Sequence, residues 1–376
     1  MKINTLATPT FGWLKMNGAE LKKLPALQKL SPAIELPEGV RVEKTSGTAA
    51  FPAMRTGSGA EFGAALSAAG IPVLSCSVPD EMRVPERDAL RLNFSLPDAE
   101  EEYDPSGKID MRPDGKKKEG APAAAGKFSA VNLSLGRNSA LTVVMDYRSE
   151  LSAKGLAGVQ TRIRLAEGAR LTLVQVVQLG DGYSFLNDVG AEAAERAELK
   201  VIHLILSGRH VYQGLSAALA GDRSHLAADI GYIAVGDSHY DMNYEVIHTG
   251  RKTNCEISAK GVMRDRASKV FRDTIDFKHG CAGAVGEETE DVLLMDETVS
   301  NRSIPIILCA EEDVVGNHGA TIGRLDEELL FYMESRGMRR DEIYEMMAKA
   351  RLDAIMRKIP DVKTRCALLE SGEEEL

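Results

Sequence analysis

Large aromatic side chains are scarce in this chain: Phe, Tyr and Trp make up 5% of its 376 residues, with a single Trp. Cores of this size commonly draw much of their buried area from such rings, so another packing scheme must fill this one. Cysteine is also sparse. The five present (Cys76, Cys255, Cys281, Cys309, Cys366) are odd in number and far apart, with no Cys-x-x-Cys pair. That spacing suggests neither a disulfide framework nor a structural zinc site, and each thiol first reads as a small buried hydrophobe. No run approaches the roughly 18 apolar residues that span a bilayer. The first twelve residues lack a charged start followed by an apolar stretch, so the expectation is a soluble, cytoplasmic protein with no membrane partner. Positive charge is in deficit too. The formal net charge is -10, from 46 Lys+Arg against 56 Asp+Glu, which argues against a nucleic-acid partner. A Gly-x-x-x-x-Gly-Lys-Ser/Thr loop, a Gly-x-Ser-x-Gly elbow and a His-Glu-x-x-His helix are all missing, so the chain does not itself hydrolyse ATP.

What is present changes along the chain. Residues 1–97 mix short apolar patches with Pro and Gly and contain helix-like pieces at 19–30 and 60–69, which predicts a small, largely helical region. Residues 98–126 are almost free of large apolar side chains and carry Glu100-Glu101-Glu102 and Lys116-Lys117-Lys118. Such a composition cannot offset the entropy of ordering, and it predicts a mobile linker or surface loop. From 127 to 322 the texture becomes short runs of Val, Ile, Leu and Thr broken by Gly, Asp, Asn and Ser, the pattern of strands and turns. The runs recur: Leu171, Leu199, Leu226 and Cys255 are separated by 28, 27 and 29 residues. A period in this range, with no helix-length segment inside it, predicts a β-helix with two or more short strands per coil. Aliphatic ladders and Gly, Asn and Asp corners would then account for the few aromatics and the 34 Gly.

Helical signals follow at 323–366. Asp326 can cap a helix that Gly337 ends, and Asp341 can cap a second, with Ile343, Met346, Met347, Ala350 and Ala354 at helical spacing before Pro360. Residues 367–376 read as an acidic tail.

The most distinctive stretch is Asp313-Val314-Val315-Gly316-Asn317-His318-Gly319-Ala320-Thr321-Ile322-Gly323-Arg324-Leu325-Asp326, followed by Leu330-Phe331-Tyr332-Met333-Glu334-Ser335-Arg336-Gly337. Both blocks resemble motifs of the SufB/SufD family of iron-sulfur cluster assembly proteins, in that order and at that spacing. Weaker resemblance reaches back to about Val131, and Pro9-Thr10-Phe11-Gly12-Trp13-Leu14-Lys15 is similar to the start of some family members. His318-Gly319 matches the SufD type, where the SufB type has His-Glu. The functional cysteine of SufB-type chains aligns with Glu290, and Gly316 stands where many SufD-type chains have cysteine.

The resemblance implies a right-handed parallel β-helix and a non-catalytic subunit that pairs end to end with a SufB-like sister. A SufC ATPase would dock on the C-terminal helices around Phe331, Tyr332, Arg336 and Gly337. A transient iron-sulfur cluster or iron ion would form at the sister interface, with His318 as a ligand or proton-handling group and no firmly bound cofactor. Neutral imidazole suits such a role, because it binds iron and releases it more readily than thiolate does.

The residues also permit blander readings. His318 could be a solvent-exposed turn residue, and Arg336-Gly337 could simply end a helix. His279 and Cys281 form a His-x-Cys pair whose spacing would put two metal ligands on one face of a strand; otherwise His279 is a corner residue. Two rival functions remain. One is a homodimeric scaffold that holds a cluster itself, and the other a β-helix polysaccharide-active enzyme using Asp229 and Asp241 as paired carboxylates.

Overall fold

The computed structural model describes residues 1–9, 16–22, 24–45, 54–99, 103, 105 and 125–371. From Gly126 onward, successive strands alternate between two parallel sheets. Gly126–Leu135, Lys154–Leu165, Gly182–Ala193, His210–Leu219, His239–His248, Ser268–Phe277 and Ser300–Cys309 stack in one. Ala140–Arg148, Arg170–Gln178, Glu198–Ile205, His225–Ala234, Asn254–Met263, Ala284–Leu294 and Val314–Gly323 stack in the other. Each coil therefore contributes one strand to each sheet, and the chain climbs as a parallel β-solenoid.

The sequence period is the register of this stack. Leu171 pairs with Leu199, Leu199 with Leu226, and Leu226 with Cys255. Every second residue points inward, so each such row becomes a buried ladder running along the core. The few rings are concentrated there as well: Phe94, Tyr147 and Phe185 form a consecutive stack, with centroids 5.1 and 4.8 Å apart.

The corners meet the expectation of Gly, Asn and Asp only in part, at Asn138 and Gly168 but not at Arg196, Arg223 and Lys252. Asn138, Gly168, Arg196, Arg223 and Lys252 occupy equivalent left-handed positions, with φ between 53° and 65°. Each donates its amide to a carbonyl of the next coil, for example Arg196 to Asp222 at 2.9 Å and Arg223 to Arg251 at 2.8 Å. The repeated hydrogen bond holds ordinary residues in a conformation that costs them about 1–2 kcal/mol.

The solenoid starts earlier than 127. Val73–Val78 pairs in parallel with Gly126–Leu135, and Leu90–Ser95 with Ala140–Arg148. Over 1–97 the described residues hold mostly strands and one helix, α1 (Ala60–Ala68), rather than a largely helical region. The helix-like spacing at 19–30 is used instead for edge pairing: Ala19–Glu20 joins Lys2–Ile3, and Leu27–Lys29 joins Gly126–Phe128. Most of 98–126, together with 10–15 and the tail end 372–376, lies outside the described residues.

Three helices follow the last strand: α2 (Glu327–Glu334), α3 (Arg340–Met356) and α4 (Val362–Ser371). The Asp326 side chain caps α2 by accepting from Glu328 N at 3.1 Å, and Gly337 has φ 92° as expected. At α3 the N-cap position is Arg339, whose backbone N donates to Glu342 Oε2 at 2.9 Å, so Asp341 sits inside the first turn. Helix α4 was not anticipated; Asp361 caps it through Thr364 N at 2.8 Å, and it runs into the expected tail. The helices lie across the outer face of the second sheet. Leu352, Ile355, Met356 and Ile359 pack on Val174, Val176, Ile202 and Leu204, while Leu330 and Ile343 pack on Val262 and Leu293. Among the described residues, no helix is long and apolar enough to cross a membrane.

Candidate functional site at the open end of the solenoid

The last strand of each sheet, Ser300–Cys309 and Val314–Gly323, has a neighbour on one side only. Each leaves a row of backbone donors and acceptors on its free edge, the usual template for adding another strand. His318 lies on the second of these strands. Ala228, Ile257, Glu288 and His318 pair in succession, so His318 continues a row that faces the core. Ala228 and Ile257 are buried. With no further coil among the described residues to cover it, His318 is exposed. Gly316, two residues earlier, faces the same way, and a Cβ there would come within 3.0 Å of the Phe277 ring. A cysteine at this position would require Phe277 to shift.

Just beneath His318 the core turns from aliphatic to charged. Lys269 is fully buried, its ammonium paired with Glu290, 3.3 Å from Ser303 Oγ and 5.3 and 5.7 Å from the Phe271 and Tyr232 ring centres. Burial pulls the Lys269 pKa down, and Glu290 opposes that. Asp273 is 1% exposed, and neither carboxylate oxygen has a hydrogen-bond partner. Burial, and then the charges of Glu288 and Glu290, push its carboxyl well above the usual carboxylate range. Burial and Glu290 push Glu288 up to about 7.

This cluster was not found in the sequence, because Glu287-Glu288-Thr289-Glu290-Asp291 reads as a solvated acidic run. The signal was the register. Glu288 and Glu290 stand on the core rows of Ile257 and Ala259, whereas Asp291 points outward to Arg351 at 3.3 Å.

The other candidates scatter. His279 and Cys281 share no face: they lie in the turn after Ser268–Phe277, where Gly280 adopts φ 98° and ends the strand alternation. His279 points into solvent 3.8 Å from Glu311, while Cys281 is buried. Cys309 and Cys366 are exposed rather than buried, and Cys309 donates to Glu311 O at 3.0 Å. Cys255 lies 3.2 Å from His248 Nε2 inside the core, where burial raises its pKa. Among the described residues, no three His, Cys, Asp or Glu side chains converge as a metal site.

Asp229 and Asp241 belong to opposite sheets. Asp229 is paired with Lys358 of the helical region, and Asp241 is held by Arg272 at 2.7 and 3.1 Å, so they are not a catalytic carboxylate pair. Around α2, Phe331 and Tyr332 are 73% and 52% exposed, and the Arg336 guanidinium stacks 4.8 Å over the Tyr332 ring. Two adjacent exposed aromatics form an apolar patch on an otherwise charged surface.

A family model described as SUF system FeS cluster assembly, SufBD core domain, matches residues 117–351. The chain is similar to the iron-sulfur cluster assembly protein SufD of Bacillus subtilis, 25% identical over 237 residues, which cover 62% of this chain and 54% of that protein. It is also similar to SufD of Escherichia coli, 25% identical over 222 residues (58% and 52%), and to SufB of Bacillus subtilis, 25% identical over 122 residues (32% and 26%). It therefore spans about half the length of the two SufD proteins it matches.

Proposed function

Since the chain belongs to the SufB/SufD family of iron-sulfur cluster assembly proteins, its core domain being recognised over most of the solenoid, we propose that it works as a SufD-type, non-catalytic subunit of a cytoplasmic SufB-SufC-SufD complex. The observation that carries this reading is His318, which stands on a core-facing row at the end of its sheet, where no coil among the described residues covers it. A SufB-type sister meeting the free edges of Val314–Gly323 and Ser300–Cys309 would continue both sheets and enclose His318 at the junction. Iron and sulfide arriving there are cargo, and a neutral imidazole is a ligand that can let them go. The His318-Gly319 dipeptide and the acidic residue at Glu290 support the SufD assignment over the SufB one. The exposed Phe331 and Tyr332, with Arg336 and the turn at Gly337, supply the patch on which a SufC ATPase would dock.

The test is co-purification with SufB and SufC from the same genome. His318→Ala should leave the complex assembled and stop cluster formation. Phe331→Ala with Tyr332→Ala should remove SufC while changing stability by less than about 0.5 kcal/mol, as surface substitutions do. Failure of the three chains to associate, together with normal cluster formation in His318→Ala, would sink the reading. Exposed Cys309 favours a second one, because it presents a thiol at the open end where two copies of this chain could meet. Anaerobic reconstitution of the isolated protein decides between them: a stable visible cluster spectrum that needs Cys309 makes it a homodimeric scaffold.

A further inference from the structure

The charged cluster in the last coils is out of balance. Among the described residues Lys269 is the one cation in that cluster, against Asp273, Glu288 and Glu290, and it is already committed to Glu290. An ionised carboxylate with no partner costs several kcal/mol in such a place, and a buried group in that position takes up a proton instead. Asp273 is the most isolated of the three. In its own sheet Tyr244 and Pro305 flank it in register, and Lys269 and Phe271 precede it on the same face. From the opposite sheet, Glu288, Glu290 and Cys255 face it.

None of these gives Asp273 a hydrogen. Pro305 has no side-chain donor, and Lys269 is turned to Glu290. The Tyr244 hydroxyl lies 2.7 Å from His203 Nδ1, which also receives Gln213 Nε2 at 3.1 Å. The Tyr244 hydroxyl is thus engaged with His203 and makes no hydrogen bond to either Asp273 oxygen. The backbone N–H of Thr274 lies near the carboxyl but makes no hydrogen bond of acceptable geometry to it, and two buried carboxyl oxygens so placed, among like charges, are what a bound proton satisfies.

We propose that Asp273 is a proton-binding site: it stands as the neutral acid in the folded chain and gives up its proton when a cation is taken on the last coil beside His318. The second half rests on the reading of the open end as an iron-accepting surface. In that step the O–H bond of Asp273 breaks, the proton leaves to water at the open end, and the carboxylate left behind balances the added positive charge. No electron moves. The core then presents a neutral floor beneath His318 when empty and a negative one when loaded, so cation capture is coupled to proton release.

Infrared spectroscopy of the full chain at neutral pH tests the first half. The expected result is a carboxylic C=O band that shifts in deuterated water and loses one carboxyl's worth of intensity in Asp273→Asn, the remainder belonging to Glu288 and other buried acids. Its absence from the native protein, a measurement that needs no variant to fold, overturns the proposal, as does an unchanged intensity in Asp273→Asn. The second half is tested by anaerobic addition of ferrous ion alone in a pH-stat. The band should fade as the ion binds, with about one more proton released per ion than in Asp273→Asn. Ion binding that depends on His318 but leaves the band unchanged overturns the proton step and leaves the assembly reading standing. Equal ferrous binding by His318→Ala means that the assembly reading is what fails, and no ferrous binding at all overturns both.

Discussion

At the scale of single residues, the interior is where charge has measurable consequences. Replacing Lys269 by Met leaves Glu290 buried without its partner and should cost about 3–5 kcal/mol, whereas Lys269→Met combined with Glu290→Leu should recover most of that loss. Chemical denaturation of the two variants checks the contrast.

The buried histidines and acids act on stability in opposite directions. Burial lowers His248 from 6.5 to about 4 and His203 to about 3. The unfolded chain therefore binds protons that the folded chain refuses, and stability is lost as pH falls from 6.5 through about 4. Asp273 and Glu288 are raised, so the folded chain keeps protons that the unfolded chain has shed, and their contribution is lost as pH rises from near 4, for Glu288 through about 7. The two slopes oppose each other, and Asp273→Asn removes part of one. Its urea midpoint should climb more steeply with pH between 4 and 7 than that of the native chain.

None of these residues was legible from residue type. A lysine and three acids read as surface until the register assigns each a side of its strand. His318 stands out as a candidate in the sequence because a family motif surrounds it, while its exposure follows from its place on the last strand of its sheet among the described residues.

At the scale of elements, the 28, 27 and 29 residue intervals carried the strand pairing down to the residue, since they are the register itself. The N-terminal segment misled because apolar residues at 21, 24, 27 and 30 have helical spacing, while sheet edges were available to pair with it; tertiary context overrode the local pattern. That segment is clamped from both sides. Arg272 holds Asp241 in a two-point bridge and donates to Met16 O at 2.6 Å, while Asn4 donates to Asp241 at 2.8 Å. Arg272→Ala should cost about 3–5 kcal/mol by leaving Asp241 buried and unpaired. Limited proteolysis should then cut within the first 20 residues before the solenoid opens. Helix α4 escaped notice because Pro360 reads as a stop, while its start depends on Asp361, which is also tied to Arg91 in the first coil.

For the whole molecule, stacked coils that touch only their neighbours would be expected to fray one at a time. The helices prevent this by bonding to coils far apart: Arg351 to Asp291 near the open end, Lys358 to Asp229 in the middle, and Arg91 to Asp361 and Glu35 to Lys363 at the start. The chain should unfold in one transition from Leu90 to Met356, and truncation before α3 should split it into broader, non-coincident ones, read by circular dichroism and tryptophan-independent hydrogen exchange. The same bonds set a gauge. Arg351 lies near the end of α3 and Lys358 in the turn just past it, seven residues further on, a rise of about 10 Å at the helical pitch, and the strands carrying Asp291 and Asp229 are two strand spacings apart, also about 10 Å. Helix length and coil number are therefore locked together. A relative that gained or lost a coil between those two anchors would have to gain or lose about three helical residues with it.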